Sequence, residues 1–220
     1  MSGVSNLRPP QPKYSFTWDV EVVLNLFKSW PENLEPKRQT FKTVTLLGLI
    51  AIPRGAELHL LDLNYLEKFH NFYRFKVVGL VKNRKKGVTP NCVEFHEHTE
   101  NLKICPLDSL RRYLQLTGQW RVNGKPSTLF LTFKSPHDPV STSRLAGWIK
   151  ETLHLAGVDT NVFQAHSLRG AASSKAFLKG LSSAEVVQQG SWSREYTWQR
   201  FYHKQVVLPS KKFQDRVLQL

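Results

Sequence analysis

Apolar residues first fall into a helical rhythm after Asp19, where Val22, Val23, Leu26 and Phe27 share one face. Asp19 is placed to cap that helix, and Pro31 closes it. A second helix is predicted over 37–52 through Phe41, Val44, Leu46, Leu47 and Leu49, stopped by Pro53 and followed by a turn at Gly55 and a short helix over 56–61. Alternation then replaces the helical period. Residues 73–81 and 91–96 read as two strands, joined across a basic turn containing Gly87 into a hairpin. Pro106 opens a helix through Leu110, Tyr113 and Leu114 to Gly118, and 128–133 reads as a buried strand. Ser141 caps a helix carrying Leu145, Trp148, Ile149 and Leu153, with Gly157 as its stop. Helices over 167–179, 182–189 and 195–203 follow, then a basic tail with amphipathic spacing at Phe213, Val217 and Leu218. Residues 1–17, with Arg8-Pro9-Pro10-Gln11-Pro12, form a proline-containing tail, and 18–220 a single domain. The expected class is α+β, mainly α: a helical domain with a small antiparallel sheet.

Composition narrows what such a domain can do. The 220 residues hold 31 Lys and Arg against 17 Asp and Glu, a formal net charge of +14. A surplus of this size favours a polyanionic partner, and nucleic acid comes first because phosphate neutralisation with counterion release dominates its affinity. No apolar run reaches the roughly 20 residues a membrane-spanning helix needs, so no membrane partner is expected. Cys92 and Cys105 lie in no C-x-x-C pair and are read as buried thiols, without a disulfide framework or a zinc site. Phe95-His96-Glu97-His98 offers an H-x-H at a strand end, with no third or fourth ligand beside it; no metal and no cofactor is expected.

Four segments could carry chemistry. In Phe163-Gln164-Ala165-His166-Ser167-Leu168-Arg169-Gly170, an imidazole and a guanidinium stand three apart at a helix start and share a face. Between Gly190 and His203, Trp192, Tyr196, Trp198, Phe201 and Tyr202 crowd a short polar stretch. Arg54 follows a helix-breaking proline and precedes a new helix N-terminus, where anions bind. Lys82, Arg84, Lys85 and Lys86 form a basic hairpin tip, a DNA-binding candidate whose plainest meaning is a solvated turn. Arg111-Arg112 and Lys211-Lys212 read as solvated faces or as phosphate contacts.

Taken in order, R-x-x-E-L at Arg54, a lysine on a hairpin, H-x-L-R-G at His166, then Trp192 and Tyr202 resemble the layout of the tyrosine recombinase, or phage integrase, catalytic domain over nearly the whole chain. Gly190-x-Trp192-Ser193 followed by Thr197-Trp198 and Phe201-Tyr202 is similar in detail to the eukaryotic branch of DIRS-type retrotransposons and Cryptons. The resemblance implies the DNA breaking-rejoining enzyme fold, double-stranded DNA as partner, and a transposable-element enzyme working in the nucleus if eukaryotic and otherwise in the cytoplasm. It implies catalytic roles for Arg54, Lys82, His166, Arg169, Trp192 and Tyr202, with Glu57 as companion of Arg54. Tyr202 is the implied nucleophile, Tyr196 lying too near Trp192; Lys85 and Lys86 compete with Lys82. It further implies self-association on DNA through the C-terminal tail, although packing of that tail on its own core remains equally open. The family's N-terminal clamp domain has no counterpart ahead of residue 18, so weaker duplex binding and a shallower salt dependence are expected.

Elementary chemistry fits those implied roles. Two guanidiniums, Arg54 and Arg169, can neutralise charge on the non-bridging oxygens of a transferring phosphoryl group without a metal. A phenol with a pKa near 10 is a poor nucleophile at neutral pH, so His166 would share its proton. Lys82 would protonate the leaving 5′-oxygen, and the Trp192 indole N–H would face the scissile phosphate. A 3′-phosphotyrosine keeps the energy of the phosphodiester, so rejoining needs no ATP. The alternatives are a DNA-binding module with a vestigial site, a type IB topoisomerase-like activity, and a basic scaffold for protein or RNA.

Overall fold

A computed structural model of the chain describes residues 11–51, 58–78 and 92–207. In order these form β1 (Phe16–Trp18), α1 (Val20–Ser29), α2 (Pro36–Ala51), β2 (Leu66–Lys68), β3 (Phe72–Lys76), β4 (Cys92–His96), α3 (Pro106–Gly118), α4 (Thr142–Leu155), α5 (Ser167–Leu178), α6 (Ser183–Gln189), α7 (Glu195–Phe201) and β5 (Gln205–Val207). They divide into two compact units. Glu21–Arg169 make the larger, and the described parts of Met1–Val20 and Gly170–Leu220 make the smaller.

The larger unit is built around α2, which is buried on every side from Gln39 to Leu49. Its apolar residues pack as expected: the Phe41 ring lies 6.2 Å from that of Trp148 on α4, and Phe133 closes the cluster 5.5 Å from Trp148. The side of α2 facing α3 is polar yet satisfied. Gln39 Nε2 donates to the Ser109 carbonyl at 3.0 Å, and the Thr43 and Ser109 hydroxyls are 2.9 Å apart. Lys42 is also almost buried, and burial holds its ammonium pKa below the usual lysine range.

The expected hairpin is present as β3 and β4, paired antiparallel with Phe75 opposite Val93, and β2 extends it to a three-stranded sheet. Phe75 and Phe95 point inward and meet edge to face at 6.2 Å. Arg74, Glu94 and Glu67 lie outward, Arg74 donating to Glu94 at 2.7 Å. Cys92 shares that outward parity and is exposed, contrary to its expected burial; Cys105 is buried, its Sγ accepting from the amides of His98 and Asp108. His96 binds Glu94 at 2.9 Å and stacks on Phe72. Among the described residues no group of three or more His, Cys, Asp or Glu could hold a metal ion, and no helix is long and apolar enough to cross a membrane. Arg111 and Arg112 are paired within the chain, to Glu97 and Asp108.

Residues 128–133 are not a strand. Leu129, Phe130 and Leu131 are buried, but Thr128 and Leu131 make only isolated bridges, to Asp62 and Pro139. Their backbone is satisfied piecemeal instead. Leu129 N–H donates to the Leu61 carbonyl at 2.7 Å and Leu131 N–H to the Tyr113 hydroxyl at 3.0 Å. The Arg121 guanidinium donates to the carbonyls of Pro126, Thr128 and Leu129.

In the smaller unit, β1 and β5 pair in parallel, Thr17 opposite Val206. Phe16 and Thr17, expected in the proline-containing tail, and 205–207, expected in the basic tail, instead form a sheet by pairing with each other. Trp198 of α7 is the unit's largest fully buried side chain, stacked on His203 at 4.9 Å and 5.3 Å from Phe177 of α5. A capping box starts α6: the Ser182 hydroxyl accepts from Glu185 N–H while the Glu185 carboxylate accepts from Ser182 N–H.

Candidate active site

His166 and Arg169 are placed by the turn that enters α5. Gly157, at φ +80°, lets the chain leave α4. Asp159 then accepts from the Asn161 amide at 2.9 Å and its carbonyl accepts from Phe163 N–H at 2.8 Å. Phe163 is buried, and Gln164 Nε2 ties back to the Thr160 carbonyl at 2.7 Å, so the approach to α5 is braced from within. His166 sits in the last turn before the helix and is exposed; Arg169, two residues into it, is 6% exposed. Arg169 N–H donates to the His166 carbonyl at 3.3 Å, which fixes the two residues in one helical turn. A guanidinium this deeply set acts in a poorly screened environment, where its attraction for an anion far exceeds that at an open surface. Behind the pair, Gly48 of α2 permits close packing: a Cβ there would come within 2.9 Å of Leu168 Cδ2.

Trp192 and Tyr202 belong to the smaller unit. The loop between α6 and α7 turns back at Ser191, whose φ is +50°, and brings Trp192 N–H to the Val187 carbonyl at 3.1 Å. The indole lies over Gly190. A Cβ on Gly190 would fall 1.8 Å from Cζ3 of Trp192, so the Gly-x-Trp pattern is a steric requirement: only glycine leaves room for the ring. On its other side the indole meets Tyr202, with ring centroids 4.9 Å apart at 53°.

Tyr202 terminates α7. Its N–H donates to the Trp198 carbonyl at 2.8 Å, and the Ser174 hydroxyl of α5 donates to its carbonyl at 3.1 Å. The same hydroxyl accepts from Lys204 N–H at 2.9 Å. One turn earlier on α5, Gly170 lies beside the same carbonyl: a Cβ added there would stand 3.4 Å from the Tyr202 oxygen, in ordinary contact. Tyr196 is built differently: it is 61% exposed, and its hydroxyl accepts from Arg200 Nη1 at 2.7 Å on the same helix. Burial holds the Lys204 ammonium below the usual lysine range, and its Nζ donates to the Arg200 carbonyl at 2.8 Å.

Four of the expected site residues are thus described: His166 and Arg169 within one turn in the larger unit, Trp192 and Tyr202 in ring contact in the smaller. Arg54 and its companion Glu57, with Pro53 and Gly55, lie outside the described residues, as do Lys82, Arg84, Lys85, Lys86 and the tail from 208 onward. The sequence reading did not single out Ser174. It stands beside Ser173 in an Ala-Ala-Ser-Ser run, and only the tertiary arrangement separates the two: Ser173 donates to the Gly170 carbonyl of its own helix, whereas Ser174 faces Tyr202.

No protein-family model matches the chain, and no curated protein matches it by sequence. Its fold, however, has solved counterparts. The XerH site-specific recombinase in its pre-cleavage complex with difH superposes with a TM-score of 0.64 at 15% identity, over 86% of this chain and 50% of that one. The XerA recombinase gives 0.62 at 16% identity, over 97% of this chain and 67% of that one. A lambda integrase dimer bound to a COC′ core site gives 0.57 at 12% identity, over 93% and 65%. The chain spans about half the length of the XerH proteins it matches. A mainly helical chain with a small antiparallel three-stranded sheet, superposing on these structures, has the fold of the tyrosine recombinase catalytic domain.

Proposed function

We propose that the chain is the catalytic domain of a site-specific DNA recombinase or integrase that cuts and rejoins strands through a covalent 3′-phosphotyrosine on Tyr202. The observation that carries this reading is the seating of Tyr202: in a domain of recombinase fold, this tyrosine is fixed at its amide and its carbonyl and lies against the Trp192 ring. Tyr196, exposed and bound to Arg200, has no such setting.

In the proposed reaction the Tyr202 hydroxyl attacks the scissile phosphorus, the bond to the 5′-oxygen breaks, and the phenolic proton passes to His166. The departing 5′-hydroxyl takes its proton from Lys82, with Lys85 and Lys86 as rivals for that role. Arg169 and Arg54 hold the non-bridging oxygens as negative charge builds on them, and the indole N–H of Trp192 adds a neutral donor. Attack by a second 5′-hydroxyl reverses the steps and frees the tyrosine, so neither ATP nor a metal enters the scheme. The net charge of +14 supports duplex DNA as the substrate, held through its phosphates, with Arg84, Lys85 and Lys86 among the contacts. The Gly190-x-Trp192 pattern supports a DIRS-type or Crypton affiliation and, with it, a transposable-element role in the nucleus. Self-association on DNA through the segment after Tyr202 belongs to the same reading.

A duplex nicked close to the cleavage position tests it, because the short product strand diffuses away and traps the adduct. The wild-type chain should form a covalent complex that Tyr202→Phe abolishes and Tyr196→Phe leaves intact. Duplex binding should weaken with salt to the same extent in all three. No adduct, or one that survives Tyr202→Phe, overturns the assignment.

A further inference from the structure

We propose that Ser174 is a positioning residue for the Tyr202 nucleophile, acting through the main chain that follows the phenol; the proposal rests on the functional reading above. A tyrosine that must meet a phosphorus in line needs its Cα held as firmly as its ring, since a side chain with two free torsions magnifies any backbone drift. The three peptide units around Tyr202 are held unequally. Tyr202 N–H and His203 N–H both converge on the Trp198 carbonyl, at 2.8 and 2.9 Å, and so continue α7. Beyond them the helix has ended, Tyr202 itself standing at φ −124° and ψ −29°. There one hydroxyl takes over, donating to the Tyr202 carbonyl at 3.1 Å and accepting from Lys204 N–H at 2.9 Å.

Ser174 spans the two residues following the phenol like a staple, and it is fully buried. Gly170, one turn before it on the same face of α5, also borders the Tyr202 carbonyl, which an added Cβ would meet at 3.4 Å, an ordinary contact. A hydroxyl is the group the position needs, because it must donate and accept at once. Alanine would leave the Tyr202 carbonyl and the Lys204 amide without this partner: the Tyr202–His203 peptide would keep only its amide-side bond to Trp198, and the His203–Lys204 peptide would lose its tie to α5. The chain then folds with its nucleophile loosely aimed.

The test compares Ser174→Ala with Ser173→Ala in the full chain, using the nicked duplex under single-turnover conditions at saturating DNA. Ser173 is an internal control: it is equally buried on the same helix, but its hydroxyl serves only the Gly170 carbonyl. Ser174→Ala is expected to lower the rate of adduct formation about ten- to a hundredfold with the Kd for duplex unchanged, while Ser173→Ala stays within about twofold of wild type. Amide exchange at Lys204 should accelerate in Ser174→Ala alone. If the alanine variant does not fold, Ser174→Cys keeps the volume while replacing the hydroxyl by a weak thiol donor, and the same loss of rate is expected. A folded Ser174 variant that cleaves at the wild-type rate, or an equal loss in Ser173→Ala, overturns the positioning role and leaves the recombinase reading standing. A wild-type chain that forms no Tyr202-dependent adduct overturns both.

Discussion

Substituting Gly190 by alanine isolates what the Trp192 ring contributes, because the backbone itself has no objection to the change. Gly190 has φ −83° and ψ 1°, a region open to any residue. On backbone grounds alone Gly190→Ala should stabilise by about 0.4–1 kcal/mol, through the lost freedom of the unfolded chain. The ring reverses the sign. The new Cβ would sit 1.8, 2.2 and 2.6 Å from three carbons of the Trp192 indole, far inside contact distance, so the indole must leave its place. Overpacking of this kind costs about 1–3 kcal/mol, and exposing part of an indole that buries about 150–250 Å² adds to it at about 25 cal/mol per Å². A net loss of about 2–4 kcal/mol is expected. In a Trp192→Ala background the obstacle is gone, and the same substitution should be neutral or stabilising by about 0.4–1 kcal/mol. Urea unfolding of the four proteins, with slopes compared before midpoints, measures the cycle. An equal cost for Gly190→Ala in both backgrounds would refute the steric account of the Gly-x-Trp pattern.

Other expectations concern the supports of the larger unit and the cap of α6. Tyr113→Phe removes the acceptor of the buried Leu131 N–H and should cost about 1–3 kcal/mol by urea midpoint. Burial pushes the Tyr113 phenol up to about 12, so the fold prefers it neutral: that share of stability is complete below pH about 10 and is lost as pH rises toward 12, which absorbance at 295 nm should follow as one late-titrating tyrosine. Arg121→Ala strands three carbonyls at once and should destabilise by about 2–3 kcal/mol, whereas Arg121→Lys recovers only part because an ammonium cannot reproduce the planar fork. Hydrogen bonds from Ser182 hold the Glu185 carboxyl below its usual range, so its contribution is present at neutral pH and fades as pH falls through the folded-state value; Ser182→Ala should return that carboxyl toward ordinary titration by NMR.

The helices that could be read in advance are those whose ends carry a local cause. Ser141 caps α4, Pro106 sits at the first position of α3, and Gly157 adopts positive φ past the end of α4; each signal lies within a turn of what it determines. Partners far along the chain leave no such mark. The three residues of β5 find theirs in β1, and nothing near Gln205 announces it. Leu129 to Leu131 mislead for the opposite reason: burial gives them a strand's composition, while their hydrogen bonds go to Leu61, a tyrosine hydroxyl and an arginine. Cys92 could have been placed outward from its alternation with Val93 and Phe95, since Glu94 and His96 share its parity. Within the candidate site, the chemistry-bearing types and the Gly190-x-Trp192 pattern stand out in the sequence, whereas Ser174, one serine beside another in a helix, is marked only by its contact with residues 28 and 30 positions on.

The pairing of β1 with β5 also orders events in time. Phe16 and Gln205 are 189 positions apart, while Glu21–Arg169 are contiguous. A ribosome working from the amino end delivers every residue of Glu21–Arg169 before it reaches Gln205, so β1 must wait for its mate until that whole stretch has been made. Tyr202 also follows the whole of Glu21–Arg169 in synthesis, so its contacts with Trp192 and Ser174 form after that stretch is made. The smaller unit, drawn from the two sequence flanks of the larger one, is thus the unit whose completion depends on a contact of very long sequence separation.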